Sequence, residues 1–212
     1  MFVATRYATK RSSSSNFLRL HSREWSLFCL DNVRRIQIEQ EPACPIGRAD
    51  DMENGHFYYI SDQYFEDFPD QHLMKNKETV EGEVHDRPCF YAFQDNKTGL
   101  YWMIPFSSQV NKFHRIYQQK MQKYKQCDTI VFGEVLGYEK AFLIQNICPI
   151  TENYIKNEYY DSRAHIPVRI NGQLEKELKQ KANKILALQR KGIKLIFPEV
   201  LAIERELLDK RQ

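Results

Sequence analysis

Apolar and turn-forming residues alternate in short blocks through the middle of the chain. Two pairs of apolar runs enclose polar or glycine-containing turns, which predicts two β-hairpins, and an aromatic run predicts a further strand. The hairpins are expected at 89–93 with 100–106 and at 129–136 with 141–147, and single strands at 57–60 and 165–170.

Helical spacing is clearest near the C-terminus, where five apolar residues recur between a capping asparagine and a terminating glycine. They are Leu174, Leu178, Ala182, Ile185 and Leu188, between Asn171 and Gly192. Pro198 predicts the first position of a last helix. Further helices are expected between Ser61 and Pro69, at 111–124 and at 151–158, and a loop at 70–86. Strand pairs followed by long helices predict an α+β domain with an antiparallel sheet.

The composition is that of a globular protein, with 42% hydrophobic and 28% charged residues in 212. No run of about 18 apolar residues predicts a membrane-spanning helix. Five cysteines without a C-x-x-C spacing favour a reducing compartment, and we expect a cytoplasmic protein. The net charge of +3 says little about partners.

The composition changes at Met52. Residues 1–51 contain seven Arg, one Lys and six Ser, whereas 52–212 contain seven Arg, 16 Lys and four Ser. We expect 1–51 to be a poorly structured N-terminal extension, with Met52 as the true start of the working protein. A targeting or linker segment, and a real structural element, are the alternatives.

The chain lacks the common sequence signatures of cofactor and metal sites. No phosphate-binding loop, dinucleotide fingerprint, H-E-x-x-H or G-x-S-x-G is present, and the histidines and cysteines show no metal-ligand spacing. Metal-free chemistry without a cofactor, or no chemistry, is therefore expected.

One segment after the apolar run 100–106 concentrates polar groups that bind anions. It contains Ser107, Ser108, Gln109, Asn111, Lys112, His114 and Arg115. Hydroxyls and backbone N–H groups at a strand end or helix start can cradle a phosphate, and the basic side chains would add positive charge. The alternative is a serine N-cap followed by a solvated basic helix.

Further basic residues extend this candidate site. Pro88 holds Arg87 in an extended conformation just before the first hairpin strand, where it either faces the same cleft or lies on the surface. Lys120, Lys123 and Lys125, interleaved with Tyr117 and Tyr124, could bind RNA phosphates and stack bases. The lysines of 176–184 fit a solvated helix face better.

From Met52 to the C-terminus, the chain resembles the toxins of type III toxin–antitoxin systems, the ToxN/AbiQ family, and most closely their CptN branch. The resemblance is carried by several short segments whose order and spacing are more specific than any one of them. These are 56–60, 87–91, 102–108, 112–114, 128–131 and 195–198.

The resemblance implies a strongly bent antiparallel sheet surrounded by helices, akin to toxins of the MazF and Kid type. It implies a metal-independent, sequence-selective endoribonuclease that acts on single-stranded cellular or phage RNA in phage defence. The inhibitor would be an antitoxin RNA of pseudoknotted repeats, which the toxin processes and joins in a closed protein–RNA assembly. Neither a membrane nor DNA is an expected partner.

The family's serine pair after the strand carries over to Ser107 and Ser108. Arg87 stands where relatives often have a lysine, and Val110 stands where some relatives have one. The nearest lysine is Lys112, and its role is therefore open. His114 either faces the phosphate as a catalytic residue or lies on the surface of the following helix. The catalytic residues expected are Arg87, Ser107, Ser108, Lys112 and His114, and the RNA-binding residues Gln109, Asn111, Arg115, Lys120, Lys123 and Lys125.

Two other functions fit the same residues. One is a non-catalytic RNA-binding module with this basic face, which would have no cleavage activity to lose. The other is a MazF-like ribonuclease whose antitoxin is a protein. Short tandem repeats upstream of the gene would favour an RNA antitoxin, and a short upstream reading frame a protein one.

Overall fold

The computed structural model describes residues 52–80 and 83–211. The interpretations of 1–51 lie outside these residues. Within them the chain forms nine strands and four α-helices. The strands are β1 Phe57–Ile60, β2 Lys77–Val80, β3 Glu83–Asp86, β4 Pro88–Gln94, β5 Tyr101–Ser107, β6 Ile130–Val135, β7 Tyr138–Leu143, β8 Cys148–Ile150 and β9 Ile155–Glu158. The helices are α1 Asp62–Asp67, α2 Val110–Tyr124, α3 Gly172–Arg190 and α4 Val200–Asp209.

In the described part of the chain, seven strands form one antiparallel sheet in the order β6-β7-β5-β4-β1-β9, with β8 beside β5. β2 and β3 form a separate hairpin. The predicted α+β class with an antiparallel sheet is confirmed.

Both predicted hairpins are confirmed as β4–β5 and β6–β7. The second strand of β6–β7 begins at Tyr138, three residues before the predicted start, and ends at Leu143. Leu136 and Gly137 both have positive φ at the turn, which lets the two strands approach over fewer residues than expected. The earlier start brings Lys140 into the sheet.

Three predictions for irregular segments were wrong. The expected loop 70–86 contains the β2–β3 hairpin, whose polar sequence carries no alternating apolar face. The expected helix 151–158 is a 3₁₀ turn followed by β9, because Tyr59 on β1 pairs with Asn157. The expected strand 165–170 forms only isolated bridges, at Pro167 and Arg169.

The helix predictions agree well with the structure. Asn171 caps α3 by accepting a hydrogen bond from the Leu174 N–H, and Gly192, with positive φ, follows its end. α1 follows Ser61, although the Ser61 side chain makes no capping bond. α4 begins two residues after Pro198, at Val200. No helix in these ranges is long and apolar enough to cross a bilayer.

The sheet has a packed core on each face. On one face, Trp102 and Phe106 of β5 join a buried cluster with Leu178 and Ile185 of α3. On the other face, Met103 belongs to a cluster with residues of α1 and α4. α2 covers β6 and β7 through a third cluster that includes Phe113, Ile130, Ala141 and Leu143. These cores fix the strand ends that carry the candidate site.

β5 leaves the sheet immediately after the pair Ser107–Ala141, and α2 begins at Val110. Beyond this pair, β7 keeps β6 as a neighbour, with Lys140 opposite Gly133. The same register, extended by one residue, brings Ser108 beside Lys140. The end of β5 and the first half of β7 therefore form an opening in the sheet, next to the start of α2.

Candidate active site

The two serines at the end of β5 differ in environment. Ser107 is 4% exposed, and its Oγ accepts a hydrogen bond from the Gln109 N–H at 3.2 Å. Ser108 is exposed. Gln109 is the N-cap residue of α2, and this helix has no side-chain capping bond. Neither serine therefore caps α2, and the serine N-cap alternative is wrong. Ser107 stabilises the turn before the helix, and Ser108 presents its hydroxyl to solvent.

The Ser108 hydroxyl is contacted by a cation from another strand. The Lys140 ammonium on β7 donates to Ser108 Oγ at 2.8 Å. Lys140 is half-buried, and no carboxylate among the described residues pairs with it. Lys140 is not apparent from the sequence, because only the register of β5 with β7 brings it beside Ser108, 32 positions away along the chain.

Arg87 precedes β4, two register positions beyond the last pair of β4 with β5, Cys89–Pro105, and so lies level with Ser107. The side chain is 8% exposed, and its Nη1 donates to the Phe106 carbonyl oxygen at 2.9 Å. Its Nε donates to the Lys75 carbonyl oxygen at 3.1 Å. The surface alternative for Arg87 is therefore wrong: the guanidinium is buried against the strand end that carries the serines. The neighbouring Asp86 is already paired, with Lys156 at 2.6 Å.

Lys112 lies in the first turn of α2 and is exposed. Its ammonium lies 5.6 Å from the centre of the Phe113 ring. No carboxylate in the described ranges pairs with it, so it keeps its charge available for an anion that approaches the start of α2.

His114 lies half-exposed on the next turn of α2. Its ring stacks on Phe132 of β6 with centres 3.8 Å apart, and its Nε2 is 3.3 Å from Glu139 Oε1. Glu139 precedes Lys140 on β7, and successive strand residues point to opposite faces. His114 is therefore close to the opening but contacts the face of β7 opposite to Lys140.

The predicted RNA-binding residues divide into two groups. Five side chains are exposed around α2, namely Gln109, Asn111, Arg115, Lys123 and Lys125. Lys120 instead points inward: its ammonium donates to Thr129 Oγ1 at 2.8 Å and to Gln145 Oε1 at 2.7 Å. Burial lowers the pKa of Lys120. Its contacts connect α2 to the β6–β7 region and leave it poorly placed to bind phosphate.

The lysines of α3 are mostly paired with acids. Lys179 pairs with Glu175 at 2.9 Å, and Lys181 with Glu177 at 2.7 Å. This agrees with the interpretation of this face as a solvated helix surface. The structure thus brings together Arg87, Ser107, Ser108 and Lys140 and places Lys112 and His114 close by on α2. The residues described contain no group of three acids, histidines or cysteines that could hold a metal ion.

Comparison with known proteins reveals similarity in structure rather than in sequence. No protein-family model matches the chain, and no curated protein matches it. The solved structure of AbiQ, a lactococcal anti-phage endoribonuclease of a type III toxin–antitoxin system, superposes with a TM-score of 0.54 at 10% identity. The match covers 76% of this chain and 100% of AbiQ.

Two further bacterial structures are similar over the same extent. One, from a type III toxin–antitoxin system with selective toxin inhibition by a non-coding RNA pseudoknot, has a TM-score of 0.50 at 15% identity, covering 76% of this chain and 99% of its own. The other, from an antiviral system regulated by a processed non-coding RNA, has a TM-score of 0.52 at 13% identity, covering 73% of this chain and 98% of its own. The chain therefore has the fold of a solved endoribonuclease of a type III toxin–antitoxin system.

Proposed function

We propose that the chain is the toxin of a type III toxin–antitoxin system, a cytoplasmic, sequence-selective endoribonuclease that cleaves single-stranded RNA without a metal ion. The observation that carries this proposal is the exposed Ser108 hydroxyl, which does not cap α2 and lies at the end of β5 beside the buried Arg87 and Ser107. The likeness in fold to AbiQ, described as an endoribonuclease, supports the same activity.

The reaction needs no nucleophile from the protein, because RNA carries its own. The 2′-oxygen attacks the adjacent phosphorus, and the bond from phosphorus to the 5′-oxygen breaks, which gives a 2′,3′-cyclic phosphate and a 5′-hydroxyl. The enzyme has to hold the phosphate in line, neutralise the developing oxyanion and assist two proton transfers. Candidate groups for phosphate binding, charge neutralisation and the first proton transfer lie near the end of β5.

In this mechanism the Ser108 hydroxyl and the nearby cationic side chains bind the phosphate. The Ser108 O–H donates to a phosphate oxygen, and the turn held by Ser107 fixes the position of Ser108. Arg87 lies beneath this turn, where its buried charge favours an anion at the strand end. Lys112 supplies an unpaired ammonium from the first turn of α2.

Proton transfer is the role proposed for His114, because a neutral imidazole carries one donor and one acceptor nitrogen. Donation from Nε2–H to Glu139 would orient the ring and leave Nδ1 as an acceptor. Because Glu139 and Lys140 face opposite sides of β7, this role requires the 2′-hydroxyl to reach Nδ1 around the open edge of the strand. Water protonates the departing 5′-oxygen, so one proton passes from the 2′-hydroxyl to His114 and one is taken up from solvent.

The proposed inhibitor is a repeat RNA that folds as pseudoknots, is processed by the toxin and forms a closed complex with it. Two solved neighbours, described with a non-coding RNA pseudoknot and a processed non-coding RNA, support an RNA inhibitor over a protein one. The exposed polar and basic residues around α2 offer it a binding surface. If tandem repeats lie upstream of the gene, their co-expression should restore growth to cells that express the toxin.

The direct test is cleavage of single-stranded RNA by the purified chain in excess EDTA, with both product ends identified. We expect 2′,3′-cyclic phosphate and 5′-hydroxyl ends, and loss of cleavage in Ser108→Ala. A strict need for a divalent ion would contradict the mechanism. RNA binding without any cleavage would favour the non-catalytic binding module instead.

A further inference from the structure

We propose that Lys140 is a catalytic residue, which binds a non-bridging oxygen of the scissile phosphate together with Ser108. This inference rests on the proposed RNA cleavage and deepens it. No motif around Lys140 indicates such a role, since the local sequence is an ordinary strand of a hairpin. The assignment comes from the register of β7 and from one contact, the 2.8 Å hydrogen bond from the Lys140 ammonium to Ser108 Oγ.

The direction of this hydrogen bond prepares both groups to bind an anion. An ammonium has three donors and no acceptor, so after donation to Ser108 it retains two N–H groups. Ser108 Oγ accepts from Lys140, and its own proton is then available to a second acceptor. A phosphate oxygen that approaches both side chains receives an O–H and an N–H hydrogen bond, both strengthened by the positive charge.

The surroundings of Lys140 leave its charge uncompensated. No acid among the described residues pairs with it, whereas Lys179, Lys181 and Lys184 of α3 each contact a carboxylate. Lys140 is also half-buried, so solvent screens its charge less than it screens a fully exposed lysine. A lysine held here without an acidic partner can stabilise the negative charge that develops on the phosphate only during the reaction.

The nearby Tyr138 points to a nucleotide as the source of that anion. Tyr138 lies two residues before Lys140 on β7, is 67% exposed, and has its ring centre 5.8 Å from the Lys140 ammonium. An exposed aromatic ring can stack on an unpaired base. Ser108, Lys140 and Tyr138 thus offer a phosphate contact and a base contact side by side.

In the reaction, Lys140 forms no covalent bond and transfers no proton. It neutralises charge on the non-bridging oxygen while the bond from the 2′-oxygen to phosphorus forms and the bond to the 5′-oxygen breaks. Loss of one preorganised donor of this kind typically slows a reaction by about 10²- to 10³-fold.

The test uses Lys140→Met, which keeps the length of the side chain but removes the charge, and Lys140→Arg, which keeps the charge. Lys97→Met is the matched control, because Lys97 is an exposed lysine in the turn at the other end of the β4–β5 hairpin. The readouts are thermal melting, single-turnover cleavage of a short RNA, and the salt dependence of binding to the same RNA with 2′-deoxy at the cleaved position.

We expect Lys140→Met to melt like the parent and to cleave about 10²-fold or more slowly, with Lys140→Arg within about tenfold of the parent. The slope of log affinity against log salt should become shallower by about 0.7, the value for one phosphate contact on a single strand. Lys97→Met should change neither. In the double variant Ser108→Ala/Lys140→Met, cleavage should be slower than in Ser108→Ala alone, because Lys140 contacts the phosphate itself.

Parental cleavage and slope in Lys140→Met would overturn the assignment while the proposed endoribonuclease stands. So would a double variant no slower than Ser108→Ala, which would make Lys140 a positioning residue for Ser108. If the parental chain cleaves no RNA, the proposed function fails, and the salt slope still decides whether Lys140 binds phosphate. If Lys140→Met melts early, the slope measured below its melting temperature decides the question.

Discussion

The guanidinium of Arg87 donates a hydrogen bond to the carbonyl oxygen of Phe106, the residue that precedes the two serines. The same side chain donates to the Lys75 carbonyl oxygen, and the Arg87 N–H donates to the Asn76 carbonyl oxygen at 2.6 Å. Arg87 therefore connects the segment before β2 to the end of β5. The Arg87 side chain therefore both holds the strand end that carries Ser107 and Ser108 and places a positive charge next to it.

We predict that Arg87→Ala lowers both stability and cleavage. The Phe106 carbonyl would lose its donor in a buried environment, at a cost of about 1 to 3 kcal/mol. For a protein of this size that corresponds to a melting temperature lower by about 2 to 4 °C for each kcal/mol. Arg87→Lys keeps the charge but not the two-donor geometry, so it should melt early and retain more cleavage than Arg87→Ala. Equal melting of all three proteins would contradict this role.

The two serines should respond differently to replacement by alanine. The exposed Ser108 hydroxyl does not cap α2 and accepts a hydrogen bond from Lys140 at the surface, so Ser108→Ala should melt nearly normally and cleave about 10²- to 10³-fold more slowly. Ser107→Ala removes the acceptor of the Gln109 N–H and should cost about 1 kcal/mol of stability. Melting curves and single-turnover rates of both variants separate these effects. Parental cleavage by Ser108→Ala would show that the site assignment is wrong.

The proposed proton transfer by His114 can be tested through the rate of cleavage. If Nδ1 takes the 2′-hydroxyl proton, His114→Gln should slow single-turnover cleavage by about 10²-fold or more, because glutamine cannot accept that proton. Glutamine keeps a polar side chain of similar reach above Phe132, so the packing of α2 on β6 should change little. Cleavage by His114→Gln at the parental rate would leave His114 as a packing residue between α2 and the sheet.

Periodicity predicted the parts of the fold whose pattern is local. The β4–β5 hairpin and the helix α3 carry their own turn, cap and apolar face, and both formed as expected. The strand β9 was missed because its sequence, Ile155–Glu158, has one apolar residue and depends on pairing with β1. The assignment to the CptN branch, the strong bend of the sheet and the resemblance to MazF and Kid stay predictions from the sequence.

The candidate site was predictable where its residues are close in sequence, and Arg87 from its position before the first hairpin strand. Ser107 and Ser108 stood out because they follow an apolar strand and precede a basic helix. Lys140 did not, because its place beside Ser108 depends on where β7 begins, and that start differed from the prediction by three residues. The sequence also does not show that Lys120 points inward, because its hydrogen-bond partners Thr129 and Gln145 lie on later segments of the chain.

Stability in acid should depend on Asp95, in the turn between β4 and β5. Burial alone would raise the pKa of this carboxyl, but a hydrogen bond from the Lys97 N–H and the contact of Arg190 at 3.1 Å outweigh it and lower the pKa. A lowered folded pKa stabilises the protein above the unfolded value of about 3.9, and this stability is lost as the pH falls through the folded value.

Asp95→Asn should therefore be less stable than the parent near neutral pH, and the difference should shrink below about pH 4. Chemical unfolding between pH 3 and 7 measures this directly. Asp209→Asn, which changes an exposed carboxylate at the end of α4, is the control. A constant difference between Asp95→Asn and the parent across this range would show that the carboxylate's charge is not what stabilises the turn.

RNA affinity should depend on which lysines and arginines lack an acidic partner. Arg115 on α2 is exposed and pairs with no carboxylate among the described residues, whereas Lys179 on α3 pairs with Glu175 at 2.9 Å. An unpaired cation can bind a phosphate without first breaking an ion pair. We therefore expect Arg115→Ala to weaken RNA binding and to lower the salt slope by about 0.7. Lys179→Ala should change both quantities little.

Titration of a non-cleavable single-stranded RNA at several salt concentrations distinguishes the two surfaces. Both side chains lie on helices, and alanine favours a helix, so folding should be preserved in each variant. If the two variants lose equal affinity, RNA contacts α3 as well as α2, and the binding surface is broader than the opening at β5 and β7. If only Lys179→Ala loses affinity, the RNA lies on the α3 face, and the proposed binding surface around α2 is wrong.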